Sequence, residues 1–161
     1  SEDGVIEQLI ADRLKTVSSA QGDVAVGKEL FKKNCQVCHQ IAGEGKQVGP
    51  NLDGIANRGL QRMVEDVLAP NRNVDVAFRT TTIVTTEGKA LSGLLKELEG
   101  GRFLLIDSQA KETTFTSDDI EERKLATSSP MPANFGESLS ADQFRDLMSF
   151  LQTQKNVVVH P

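Results

Sequence analysis

Cys35-Gln36-Val37-Cys38-His39 places both cysteines of this 161-residue chain, and one of its two histidines, within five consecutive positions. No other stretch constrains the chain as tightly, because whatever these three side chains hold must be packed into the fold around them. In C-x-x-C-H the two thiols can form thioether links to the vinyl groups of a haem, while the adjacent imidazole becomes the proximal iron ligand. Three other readings compete. A thioredoxin-like redox pair follows a strand in a βαβ pattern, whereas this motif follows a short polar helical stretch, Asp23 to Asn34. A zinc site needs a second pair of ligands, and no further cysteine remains. A structural disulfide between Cys35 and Cys38 leaves His39 without a role. Haem attachment is the reading that uses all three side chains.

The flanking residues carry a wider pattern. Gly27-Lys28-Glu29-Leu30-Phe31 precedes the motif, and Gly49-Pro50-Asn51-Leu52 follows it with Gly54 and Arg58. In order and spacing this resembles class I c-type cytochromes. The resemblance implies that Gly27 and Phe31, eight and four residues before Cys35, lie where the first helix of the haem core crosses the last. It implies that the Pro50 carbonyl accepts a hydrogen bond from His39 Nδ1–H, orienting the ring and tuning its basicity, and that Arg58 contacts a haem propionate. Ala69-Pro70-Asn71-Arg72, Ser128-Ser129-Pro130-Met131-Pro132 and Asp146-Leu147-Met148-Ser149-Phe150-Leu151 resemble the haem-binding domain fused to large dehydrogenase-like proteins of planctomycete-type bacteria.

Iron needs a sixth ligand if it is to carry electrons without binding small molecules. Met63 and Met148 sit on apolar helical stripes, where methionine is usually core filler. Met131 lies in a loop whose flanking prolines fix φ at 130 and 132, and it matches the family's axial position. The one spare histidine, His160, is a weaker candidate. The resemblance thus implies one haem c, joined through Cys35 and Cys38 and ligated by His39 and Met131. The corresponding role is non-enzymatic electron transfer between a fused or partner dehydrogenase and another redox carrier. Attachment of this kind takes place outside the bacterial cytoplasmic membrane, which implies a periplasmic or exported location. A peroxidase-like enzyme or a haem-based gas or redox sensor, each with a displaceable sixth ligand, is the alternative.

Composition agrees with a buried prosthetic group. The chain has no Trp, no Tyr and only seven Phe, so a porphyrin would supply flat apolar surface that the side chains lack. Its net charge of −5 is spread evenly, and no segment is basic enough to suggest nucleic acid. No run of apolar residues is long enough for a transmembrane helix. Ser1-Glu2-Asp3-Gly4 is acidic where a signal peptide needs positive charge, so the numbering is expected to begin at a mature terminus or a cut domain boundary.

Along the chain, apolar positions from Val5 to Val17 predict a short helix over residues 5–16, followed by a small, polar hinge from Thr16 to Gly22. Asp23 is a plausible N-cap for the first core helix, and Met63, Val64, Val67 and Leu68 predict a helix ended by Pro70. From Pro70 to Met131 the chain takes 61 residues, far more than ordinary class I cytochromes use. Within that interval Phe78–Thr86, Ala90–Leu98, Arg102–Asp107, Thr113–Thr116 and Ile120–Lys124 read as short strands joined by tight turns, an antiparallel meander or small barrel. The run Asp118, Asp119, Glu121, Glu122 reads as a solvated face rather than a cation site. Ser140 with Gln143 predicts a capping box before a last helix with Phe144, Leu147, Met148 and Leu151 on its apolar stripe. The expected fold class is a mainly α cytochrome c fold with an inserted small antiparallel β module, α+β overall. The expected layout is an N-terminal extension and linker (1–22), a haem domain (23–154) interrupted by the β insert (78–126), and a C-terminal tail (155–161). The insert is expected beside the loop that bears Met131. Because the core is poor in aromatics, folding should be coupled to haem: replacing both Cys35 and Cys38 by Ser should give a largely unfolded product, checked by far-UV circular dichroism and denaturant titration.

Overall fold

The computed structural model describes residues 1–155; the expected tail, with His160, lies outside the described residues apart from Lys155. Two compact units are present, one formed by Ser1–Ala69 with the chain from Ala133 onward, the other by Pro70–Pro132. The first is helical and the second is an antiparallel sheet.

The helical unit contains α1 (Glu2–Ser19), α2 (Val24–Asn34), α3 (Leu60–Leu68), α4 (Phe135–Ser138) and α5 (Ala141–Gln152), with a 3-10 turn at Ile55–Arg58. Asp23 caps α2, its carboxylate accepting from Val26 N–H at 3.1 Å. Ser140 and Gln143 form the expected capping box on α5, at 3.1 and 2.9 Å. All four expected stripe residues of α5, Phe144, Leu147, Met148 and Leu151, are buried, and Met63 and Met148 are both core side chains.

Where α2 meets α5 the backbones nearly touch. A Cβ on Gly27 would overlap the carbonyl oxygen of Asp146, so only glycine fits. One turn on, the Phe31 and Phe150 rings stack tilted with centroids 5.6 Å apart. At the start of α2 the Asp146 carboxylate accepts from Asp23 N–H at 2.8 Å, and Ser149 Oγ from Gly22 N–H at 3.0 Å.

The N-terminal helix is longer than its periodicity suggests. Thr16–Ser19, expected to begin a hinge, instead close its last turn. That turn carries no basic residue of its own, and Arg145 of α5 fills the gap: its Nε donates to the Thr16 carbonyl at 3.0 Å and its Nη2 to Ser19 Oγ at 3.3 Å. Ile10 and Val17 are buried on a face that packs against α3 and α5.

The second unit holds β1 (Thr81–Thr85), β2 (Ala90–Glu97), β3 (Arg102–Ile106), β4 (Glu112–Thr116) and β5 (Ile120–Leu125), in the order β4-β3-β2-β1-β5. A simple meander would leave β5 beside β4; here β5 pairs with β1 instead. The link between β4 and β5 is only Ser117–Asp119. Four Cα steps reach about 14 Å at most, whereas the outer strands of a flat five-stranded sheet lie about 19 Å apart. The sheet therefore curls into a small, partly closed barrel. β2 is where it bends: Ala90–Gly93 pair with β1, and Leu94–Glu97 pair with β3. Gly93 stands at the corner because a Cβ there would overlap the Ile106 carbonyl oxygen. The curled faces enclose Ile83, Leu105 and Phe115, with Leu91, Leu95 and Ile120 packed around them.

Asp118, Asp119, Glu121 and Glu122 are all exposed, as expected of a solvated face. Asp119 is used structurally: hydrogen bonds from the Thr116 N–H and hydroxyl, each 3.0 Å, hold its carboxyl below the usual range.

The α2–α5 crossing makes a direct prediction. Gly27→Val should destabilise the helical unit by at least about 2 kcal/mol, because the added atoms meet backbone and not a movable side chain. Chemical denaturation monitored at 222 nm gives the value, and an unchanged midpoint would refute the crossing as described.

Candidate haem-attachment site

The motif sits at the C-terminal end of α2. Cys35 N–H bonds the Phe31 carbonyl at 2.8 Å, and the Cys35 carbonyl in turn accepts from Cys38 and His39 N–H at 3.0 and 2.8 Å. The helix thus runs out into a tight turn that carries both thiols and the imidazole. Neither thiol is in a disulfide, and both are half-buried. Burial and the neighbouring Cys38 push the Cys35 thiol up to about 12, so in the free protein its thiolate is scarce at neutral pH.

A loop then folds back under the histidine. The Cys38 carbonyl accepts from Val48 and Gly49 N–H at 3.1 and 2.7 Å, and the Gln40 carbonyl accepts from Leu52 N–H at 2.9 Å. These bonds place Pro50 against His39, whose Nδ1 lies 2.8 Å from the Pro50 carbonyl oxygen. A carbonyl can only accept, so Nδ1 carries the hydrogen and Nε2 keeps its lone pair. Burial lowers the pKa of His39, partly offset by the Pro50 hydrogen bond, which keeps the imidazole neutral near pH 7. Neutral, oriented and with Nε2 unprotonated, the ring is in the state that iron requires.

Gly49 leaves the face of that ring clear: a Cβ there would sit 2.9 Å from His39 Cε1. Gln40 is a residue that the motif alone does not reveal. Its amide donates to the Gly43 carbonyl at 3.2 Å and its oxygen accepts from Gln47 Nε2 at 2.7 Å, cross-linking the loop that presents Pro50. A lone polar residue after a C-x-x-C-H motif gives no signal of such a role. Asp53 adds a further tie, accepting from Ala42 N–H at 2.7 Å.

Arg58 lies at the end of the 3-10 turn, where its Nε donates to Asp66 of α3 at 2.9 Å. Asp66 also pairs with Arg62 at 3.3 Å, so the Arg58 guanidinium is fixed and partly neutralised. Met131 lies in the other unit, on the loop that follows β5, and its N–H bonds Ser129 Oγ at 3.1 Å. The structure therefore brings Cys35, Cys38, His39 and Pro50 together, and describes Met131 within its own unit.

Known proteins match in the same place. Residues 24–82 match the cytochrome c family. Cytochrome c from Arabidopsis thaliana is 49% identical over 41 residues, which is 25% of this chain and 37% of that protein. Cytochrome c from Cochliobolus lunatus is 49% identical over 39 residues, 24% of this chain and 36% of its own. A cytochrome c-553-like protein from Synechocystis is 40% identical over 45 residues, 28% of this chain and 42% of that one. The chain spans less than half the length of the curated relatives it matches. These matches support a class I c-type cytochrome.

The family implies covalently bound haem c, and the residues present fit it. Two thiols outside any disulfide stand on one turn with a neutral imidazole whose Nδ1 is already anchored. Among the described residues, no group of three or more His, Cys, Asp or Glu side chains could hold a bare metal ion, and no helix is long and apolar enough to cross a membrane. The matched residues end at 82, before Met131.

Gly49→Ala tests the geometry around His39. The methyl group would press on the ring and tilt it from Pro50, so the purified protein should carry less haem per chain and show a weakened low-spin spectrum. A fully loaded variant with the parent spectrum would show that the clearance at Gly49 is unimportant.

Proposed function

We propose that this chain is an electron-transfer c-type cytochrome domain carrying one haem, attached through Cys35 and Cys38 and ligated by His39 and Met131. The observation that carries the reading is the 2.8 Å bond between His39 Nδ1 and the Pro50 carbonyl, on a turn that also holds both thiols. It is the arrangement expected of a proximal ligand and has no evident purpose in a disulfide or a dithiol redox pair.

When bound, the haem supplies an iron that alternates between Fe(III) and Fe(II) with no bond made or broken in a substrate. The chain's own residues set the conditions. Pro50 holds His39 in one tautomer and one orientation. The Met131 thioether, a soft donor, favours the reduced state and raises the potential. Arg58, steadied by Asp66, offers its remaining N–H groups to a propionate. The partners of such a domain are a fused or separate dehydrogenase and a second redox carrier, in the periplasm or another exported location.

Mass spectrometry of the protein matured with a c-type haem assembly system should show one covalent haem, and none after Cys38→Ala. The ferric protein should show the near-infrared sulfur-to-iron band, and the ferrous protein should resist CO. Met131→Ala should abolish the band and admit CO. A parent protein that binds CO freely would favour a sensor or a peroxidase-like enzyme over an electron carrier.

A further inference from the structure

The loop that bears Met131 has almost no backbone of its own to hold it. Between Ser129 and Pro132 only two N–H groups exist, since Pro130 and Pro132 have none. Both are taken by side chains. Asn71 Oδ1 accepts from Ser129 N–H at 2.9 Å, reaching across 58 residues of sequence, and Ser129 Oγ accepts from Met131 N–H at 3.1 Å. Just before the loop, the β1–β5 ladder is prolonged by two bonds, Ala126 N–H to the Thr80 carbonyl and Thr80 N–H to the Ser128 carbonyl, each 2.8 Å.

We infer that Asn71 and Ser129 are positioning residues for Met131, acting in series as a clasp that fixes the arm of the sixth ligand. The inference rests on the reading of Met131 as that ligand. Asn71 is suited to the task because the segment behind it is itself tied down. Asp75 Oδ1 accepts from Ala77 N–H at 2.8 Å, and Arg79 Nε donates to the Val74 carbonyl at 3.2 Å. The first and last segments of the β unit are thus held to one another, and the last carries the thioether. On this account the barrel serves as a rigid base: its β1–β5 edge fixes the chain as far as Ser128, Asn71 fixes Ser129, and Ser129 fixes Met131. Without the clasp, the residues from Ser129 to Pro132 would keep their proline-limited torsions but lose both hydrogen bonds that set their direction.

The test uses the full-length holoprotein and four variants. Asn71→Leu keeps the size and removes the acceptor, Asn71→Asp keeps an acceptor oxygen, Ser129→Ala removes the second bond alone, and Met131→Ala removes the thioether. The readouts are the near-infrared sulfur-to-iron band of the ferric protein and the CO affinity of the ferrous protein. Asn71→Leu and Ser129→Ala should each raise CO affinity by about fivefold, the factor that one ordinary hydrogen bond carries in an equilibrium, and should weaken the band; Asn71→Asp should resemble the parent. If Asn71→Leu and Ser129→Ala lower the melting midpoint but leave band and CO affinity unchanged, while Met131→Ala loses the band, the clasp is merely structural and the inference is overturned. If Met131→Ala retains the band, Met131 is not the ligand, and the underlying reading fails with it.

Discussion

Everything in the helical unit depends on how closely α2 approaches α5. Gly27 rests against the Asp146 carbonyl, and any larger residue would push the two axes apart. That closeness lets the Phe31 and Phe150 rings meet at 5.6 Å and lets the Asp146 and Ser149 side chains reach the first turn of α2. Since the C-x-x-C-H motif is the direct continuation of α2, the crossing also fixes where Cys35, Cys38 and His39 begin. Arg145 and Asp146 face different neighbours from adjacent positions, one ending α1 and the other opening α2. One helix therefore organises both N-terminal elements, and the thiols inherit their position from it.

The β unit solves a different problem. A long excursion in a chain is tolerable when its two ends stay close, because closing the interrupted loop then costs the host little extra entropy. The strand order achieves this: β1 and β5, the first strand and the last, are neighbours, so the chain enters and leaves along one edge. A meander of five strands would have separated those ends by the width of the sheet. The price is curvature, and it falls on β2, which must change partners at Gly93.

Much of this was legible in local sequence because it depends on local rules. The C-x-x-C-H turn, the Asp23 cap, the Ser140–Gln143 box and all five strand segments follow from residue types a few positions apart. The strand partners did not, since no short-range signal distinguishes β5 beside β4 from β5 beside β1; the three-residue link and the curl that it forces are properties of the whole sheet. The last turn of α1 was hidden because Thr16–Ser19 has weak helical preference and is stabilised by Arg145, 129 residues away from the carbonyl it caps. The role of Asn71 was hidden for the same reason, its partner Ser129 lying 58 residues away; that of Gln40 was hidden although its partners are near, because a single polar residue does not show which loop groups it will bond.

The supports of His39 and of Met131 differ in range, and this has a consequence for how a bound haem would lose its ligands. His39 is held by bonds among residues 35–52, whose partners lie within about a dozen positions of one another. The direction of the Met131 arm depends on Asn71, which is far away in sequence, and therefore on the integrity of the β unit between them. Local opening takes the cheapest route available to a structure. Under the proposed ligation the thioether is thus the ligand that fluctuation releases first, while the imidazole and the covalent links persist. On that reading, the domain would keep its covalently held haem through partial unfolding and would regain the thioether when the barrel's edge and the Asn71 bond re-form.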